Sequence, residues 1–207
     1  MMHPTMQTYI SPKGAAAYLA KEAPHENARN AQAWALLEGL DLQGKIALDM
    51  GCGFGRDTAE IRRRGATCWG VDVSPPLLYE AQQRYGGTQW CQADMLTLHT
   101  PPAQPVDFIW SAASLVHVPH EAVEALVTRW VRWLNPGGYV GIITKAGVGQ
   151  RVFYNLGEDL PRVMVYHTLA HLRGVLEGCG AKVEHATEAD VTASGEPLLS
   201  IRARYEG

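Results

Sequence analysis

Cysteine is scarce in this chain: Cys52, Cys68, Cys91 and Cys179 are four among 207 residues. They form no Cys-x-x-Cys pair and have no histidine at zinc-ligand spacing, so neither a structural metal nor a disulfide framework is expected. Such thiols serve as small apolar fillers. Long apolar runs are also missing. No uncharged stretch approaches the roughly 18 apolar residues needed to cross a bilayer, and no membrane partner is expected. The start, Met1-Met2-His3-Pro4, has neither a basic n-region nor an apolar h-region, so the expected location is cytoplasmic without a signal peptide. Charge is sparse and nearly balanced, at 19% of residues with a net of −3, which gives no basic field for nucleic acid or anionic lipid. The 46% hydrophobic content excludes disorder. Without repeats, charge blocks or low-complexity linkers, one domain over residues 1–207 is expected.

What is present is an alternation of short apolar runs with amphipathic segments. Lys45 to Met50 reads as a buried parallel strand halted at Gly51. A helix from about Phe54 to Arg64 follows, stopped by Gly65, and then a strand over Thr67–Val71. Ser74-Pro75 opens the next helix as N-cap and first-turn proline, and Gly86-Gly87 ends it. Strands are predicted over Thr88–Ala93, Val106–Trp110 and Tyr139–Thr144. Between the last two, Pro119–Leu134 places Val123, Leu126, Val127, Trp130 and Leu134 on one helical face, with Asn135-Pro-Gly-Gly138 as its stop. Strands separated by helices give βαβ units and a parallel sheet. Near the C-terminus, Leu199, Ile201, Ala203 and Tyr205 alternate with polar residues, as an antiparallel strand does. The fold class is therefore α/β, a doubly wound sheet with an antiparallel end and helices on both faces.

In such sheets ligands bind beyond the C-terminal strand ends. There stands Asp49-Met-Gly51-Cys52-Gly53-Phe-Gly55-Arg56-Asp57. Its glycines let the backbone turn sharply and approach a ligand, and the following helix N-terminus favours an anion. Asp72, 21 residues after Gly51, suits the two hydroxyls of a ribose. A dinucleotide fingerprint needs glycine where Arg56 stands. Asp49 would also repel a pyrophosphate, by roughly 4 kcal/mol at 4 Å in a partly screened medium. The same carboxylate favours an ammonium. A zwitterion joined to a ribonucleoside meets all three demands, and S-adenosylmethionine is such a molecule.

At this point the chain resembles a known family. Ala47-Leu-Asp-Met-Gly-Cys-Gly-Phe-Gly-Arg-Asp57 resembles the first motif of class I S-adenosylmethionine-dependent methyltransferases, in a subgroup with a Gly-Arg-Asp loop. Gly70-Val-Asp-Val-Ser74 is similar to their second-strand motif, and Gln92-Ala-Asp-Met95 to their adenine segment. Val106 to Ser111 with Ser114-Leu-Val-His117 resembles the fourth strand and active-site loop, and Leu134-Asn-Pro-Gly-Gly138 the turn before strand five. The match runs in order over residues 45–144. It implies a seven-stranded sheet in the order 3-2-1-4-5-7-6 with strand 7 antiparallel, a helical N-terminal cap over residues 1–40, a cofactor core over 41–145, and an acceptor-side loop, helix and terminal antiparallel strands over 146–207.

The resemblance assigns Asp49, Gly51, Gly53 and Gly55 to the methionine portion and Asp72 to the ribose, with Cys52, Arg56, Asp57 and Val73 as further cofactor-binding residues. Asp94 and Met95 go to adenine, and Ser111 beneath the methionine carboxylate or sulfonium. His117 is the candidate general base, because a histidine at the mouth of strand four titrates near operating pH; its plainer reading is a residue satisfying the backbone before the next helix. Tyr18, His117, Tyr154 and Tyr166 are expected to meet the acceptor, with Tyr9 and the helical stretch up to Gly39 as a lid. Asp94 also reads as a turn cap, His120 as a solvent residue on a first helical turn, and Arg62-Arg63-Arg64 as a complement to a helix dipole. The implied activity is methyl transfer from S-adenosylmethionine to an O, N or S nucleophile of a small molecule, yielding S-adenosylhomocysteine without a metal, by a monomer or homodimer. The other readings are a non-catalytic binder of the same cofactor, or a methyltransferase acting on a metalloid or RNA.

Overall fold

A computed structural model describes residues 3–22, 34–189 and 196–207. Two short helices begin it, α1 (Pro4–Ile10) and α2 (Pro12–Glu22), followed by a 3-10 turn at Ala35–Leu37. The sheet-forming part then runs β1 (Ile46–Met50), α3 (Arg56–Arg63), β2 (Thr67–Asp72), α4 (Pro75–Tyr85), β3 (Trp90–Gln92) and β4 (Val106–Ala112). A 3-10 turn (Leu115–His117) leads into α5 (His120–Trp133), β5 (Leu134–Lys145), β6 (Gln150–Phe153) and β7 (Arg162–Val165). The chain closes with α6 (Leu169–Gly178), β8 (Ala181–Ala189) and β9 (Leu198–Tyr205). The expected helical cap appears here as α1 and α2, while residues 23–33 of that stretch lie outside the described residues.

The sheet order is β3-β2-β1-β4-β5-β9-β8. The β1, β2, β3, β4 and β5 pairings are parallel, and β9 runs antiparallel to both β5 and β8. This is the predicted order and polarity once β6 and β7 are set apart. The apolar run of β1 follows from burial on both faces. Leu48 and Met50 join a core against α5 and α6 that holds Trp130 and Leu172, while Ala47 joins a second core with Ile61, Phe108 and Trp110. Ser74 caps α4 as predicted, its side chain accepting from the Leu77 N–H.

Three expectations are corrected. Strand three is shorter, Trp90–Gln92. Strand five begins at Leu134 rather than Tyr139, because the Pro-Gly-Gly turn is absorbed as an irregularity: Leu134 pairs with Val106 and Tyr139 already with Phe108. The long connection after β5 is a two-stranded antiparallel hairpin, β6–β7. Among the described residues, no helix is long and apolar enough to cross a membrane.

Candidate active site

A cavity opens beyond the C-terminal ends of β1, β2 and β4, roofed by α1 and α2. Its floor is the glycine loop after β1, where Gly51, Gly53 and Gly55 have φ of 79°, 55° and 84°. Each suits glycine for a different reason. A Cβ on Gly51 would lie 2.2 Å from Ser114 Cβ, and one on Gly55 would lie 2.7 Å from the Trp90 ring. At Gly53 the nearest atom to an added Cβ is a Tyr18 ring carbon at 3.9 Å, so the backbone there lies bare to the cavity. Gly55 is the N-cap of α3.

Three carboxylates surround this loop. Asp72 accepts from the Gly53 N–H and the Ser74 N–H, both at 2.8 Å, one with each carboxylate oxygen. Burial raises its pKa, opposed by those backbone bonds. Asp49 is 2% exposed and accepts from Thr58 Oγ1 at 2.6 Å. Burial and the neighbouring Asp57 carboxylate push it well above the usual carboxylate range. Asp57 itself accepts from Arg56 Nε at 2.8 Å and from the indoles of Trp34 and Trp110. Arg56 is thus paired within the loop.

Asp94 and Met95 stand on the adjoining wall after β3. Asp94 is also a turn cap, accepting from the Leu96 N–H at 2.9 Å, and Arg129 donates to the carbonyls of Met95 and Leu96. The turn-cap reading of Asp94 is thus met, and the residue also lines the cavity. Ser111 is corrected. It is wholly buried beneath the floor, its Oγ 2.7 Å from that of Ser114, which donates to the Met50 carbonyl. Ser114 lines the cavity in its place. The signal for Ser114 was the missing Cβ at Gly51, which is visible only once the strands are paired.

The roof carries aromatic rings. Tyr9 meets Tyr18 edge-on at 5.3 Å between centroids, and Tyr18 leans on Phe54 at 6.2 Å. α1 is tied on both sides: Ser74 Oγ donates to the Tyr9 carbonyl, Thr8 Oγ1 donates to the Pro161 carbonyl, and the Val163 N–H donates to Thr5 Oγ1. His117 lines the same wall. Its Nδ1 is 2.9 Å from the Val163 carbonyl, and a carbonyl only accepts, so that nitrogen carries the proton. Nε2 then accepts from the Tyr9 hydroxyl at 3.3 Å, and Arg162 Nη1 donates to the same hydroxyl at 2.9 Å. Burial lowers the His117 pKa to about 4. The expected titration near neutrality is therefore corrected: this imidazole is neutral with both nitrogens engaged.

Tyr154 and Tyr166 do not meet at this cavity. Tyr154 is 57% exposed, and Tyr166 is buried elsewhere with its hydroxyl donating to Glu196 at 2.6 Å. The arginine run also divides. Arg62 donates to the Cys68 and Gln89 carbonyls and stacks on Trp90, whereas Arg63 and Arg64 pair with Glu60.

Comparison with known proteins adds to this geometry. Residues 47–138 match the model of a methyltransferase domain. Over 97 residues the chain is 37% identical to a trans-aconitate 2-methyltransferase of Methylobacterium nodulans, covering 46% of this chain and 36% of that protein. It is 33% identical over 113 residues to an uncharacterized methyltransferase of Mycobacterium tuberculosis, covering 53% of this chain and 56% of that one. The chain thus spans about a third to a half of the length of these relatives. Among solved structures it resembles the magnesium protoporphyrin IX methyltransferase of Synechocystis PCC 6803 with bound S-adenosylmethionine, at a TM-score of 0.75 and 15% identity over 99% of this chain and 98% of that one.

Proposed function

We propose that the chain is a class I S-adenosylmethionine-dependent methyltransferase, a reading supported by its match to a methyltransferase domain over residues 47–138 and by its sheet order, and that it methylates a small anionic molecule. The observation that carries the cofactor reading is Asp72. Each of its oxygens is fixed by one backbone N–H, and a carboxylate has about four acceptor sites, so both oxygens keep capacity for a vicinal diol. The bare backbone at Gly53 beside it fits close approach of a ligand, and the buried Asp49, held largely protonated by its burial, is expected to ionise when an ammonium arrives to pair with it. In this reading Gly51, Cys52, Gly53, Gly55, Arg56 and Asp57 hold the methionine end, Asp72 and Val73 the ribose, and Asp94 with Met95 the adenine. S-adenosylmethionine supplies an activated methyl group on sulfur.

What the chain's residues contribute is alignment and exclusion of water, which for an activated electrophile is the larger part of catalysis. Tyr9, Tyr18 and Phe54 close the roof over the cavity. His117 holds the Tyr9 hydroxyl as a neutral acceptor; a base with a pKa of about 4 is poorly matched to removing a proton at neutral pH. Acceptors whose nucleophile is already free suit such a wall, and a carboxylate is one. Arg162 supports that class. It is 4% exposed, and among the described residues its guanidinium donates to the neutral Tyr9 hydroxyl and the Asn155 amide oxygen, which puts a positive charge behind the Tyr9 wall of the cavity. The trans-aconitate relative carries a carboxylate acceptor in its name. The test is calorimetry with S-adenosylmethionine, S-adenosylhomocysteine and NADH, followed by labelled-methyl transfer to a panel of small acids, phenols and amines. Binding of the two sulfur ligands and base-labile labelled esters are expected. Binding of NADH instead, or labelled amines without esters, overturns the respective part.

A further inference from the structure

Behind the wall that carries His117 lies a second constellation, unrelated to the cofactor loop. His120 opens α5, His167 follows β7, and His171 stands in the first turn of α6. One ring nitrogen from each lies within 4.8 Å of the others. The rings of His120 and His171 stack at 4.3 Å between centroids, and those of His120 and His167 at 5.8 Å.

The buried member is fixed in a ligand's tautomer. His167 is 0% exposed, and its Nε2 faces the Leu115 carbonyl at 3.3 Å, so Nε2 bears the hydrogen and Nδ1 is a bare lone pair. That Nδ1 is buried and has no hydrogen-bond partner among the described residues, and neither has the buried Nε2 of His171. An imidazole that donates through one nitrogen to a carbonyl and leaves the other free matches the outer-shell arrangement of metal-bound histidine. The backbone holds the ring in place: the His167 N–H donates to the Lys145 carbonyl, and its own carbonyl accepts from Gly147. Thr168 caps α6 through the His171 N–H, which sets His171 over His167. Glu124, one turn along α5, contributes a negative field at His171.

We propose that His120, His167 and His171 form a binding site for one divalent transition-metal ion of the zinc class, joining the starts of α5 and α6. Three imidazoles suit zinc, and the exposed side of His120 leaves a fourth position for water. With metal–nitrogen bonds of about 2.0–2.1 Å, tetrahedral ligands stand roughly 3.3–3.4 Å apart. The nitrogens must therefore draw closer on binding, and the exposed His120 ring is the member with most room to turn toward the others. The ion takes no part in methyl transfer. It clasps the Leu115–His117 turn from behind through the Leu115 carbonyl.

The experiment uses the untagged full chain, stripped with chelator, because an affinity tag of histidines would bind the same ions. Calorimetry with zinc and visible absorption with cobalt are the readouts. The expected result is one ion per chain at micromolar affinity or tighter, with the intense cobalt bands of a four-coordinate complex. His120→Asn, an exposed change, should weaken binding at least a hundredfold, and the His120→Asn/His171→Asn pair should abolish it while leaving S-adenosylmethionine affinity unmoved. No uptake, or equal uptake by the wild-type chain and the folded double variant, overturns the site.

Discussion

Replacing Asp72 with alanine isolates the group on which the cofactor reading rests. Its two oxygens each accept one backbone N–H at 2.8 Å, leaving one direction on each for a ribose hydroxyl. A hydrogen bond to a charged group contributes about 1.5–3 kcal/mol, and water admitted to the vacated space recovers part of two such bonds. A net loss equal to about one bond lowers affinity roughly tenfold to a hundredfold. The same change strips the Gly53 and Ser74 N–H groups of their acceptor while removing a carboxylate whose ionisation burial opposes, so the two stability effects partly cancel. Calorimetry with S-adenosylhomocysteine and its 2′-deoxyribosyl analogue gives the cleanest measure. Wild-type protein should distinguish the two ligands and the variant should not, with circular dichroism showing that the fold is kept. An unchanged dissociation constant in a folded variant would refute the assignment of Asp72 to the ribose.

Gly51→Ala should lower the melting temperature, because the new Cβ sits 2.2 Å from Ser114 Cβ at a φ of 79°; strain and overpacking of this kind cost about 1–3 kcal/mol each. Adding Ser114→Gly should restore part of the loss, and no rescue would deny the contact. Asp49→Asn should stabilise the ligand-free protein at pH 8 while weakening S-adenosylmethionine binding. A carboxylate whose folded pKa is raised costs stability as pH climbs through that value, and asparagine is free of that cost. An equal gain at pH 4 would show that ionisation is not the cause. His117, held at about 4 against 6.5 unfolded, contributes stability that is present above pH 6.5 and lost as pH falls toward 4, by up to about 1.4 kcal/mol per pH unit. Melting curves of His117→Asn should be flatter over that range. The pH–rate profile should also show no ionisation near 6.5 that this variant removes; if it does, His117 is the general base after all.

The parts legible in the sequence are those whose cause is local. Gly51, Gly53 and Gly55 announce a left-handed loop because few other residues adopt those angles, and Asp49 and Asp72 follow from strand ends fixed by the apolar runs before them. The antiparallel β9 was readable from its period of two. What escaped depends on pairing between distant segments. Whether Ser111 or Ser114 reaches the cavity is decided by how β4 lies against the Gly51 turn, a matter of tertiary contact. The β6–β7 hairpin was hidden because one short strand, Gln150–Phe153, is largely exposed and lacks an apolar signature. Its fold then carries Tyr154 outward and takes Arg162 inward to Tyr9, reversing the roles that side-chain type alone suggests. The histidine cluster draws its members from α5 and from the β7–α6 junction, which the chain joins only after completing β5.

The double anchoring of α1 has a kinetic consequence. Its Tyr9 carbonyl is held by Ser74 on one bank, and its Thr5 and Thr8 hydroxyls are held by the hairpin on the other. On the proposed function, release of a ligand beneath it is expected to couple to the parting of those bonds, so that residence time depends on local opening as well as on contacts with the floor. Loosening one anchor, as in Thr8→Ala, shortens residence and quickens arrival alike, leaving the equilibrium nearly where it was. On the proposed function, the parting of this seven-residue helix from its anchors is expected to pace release of the spent cofactor.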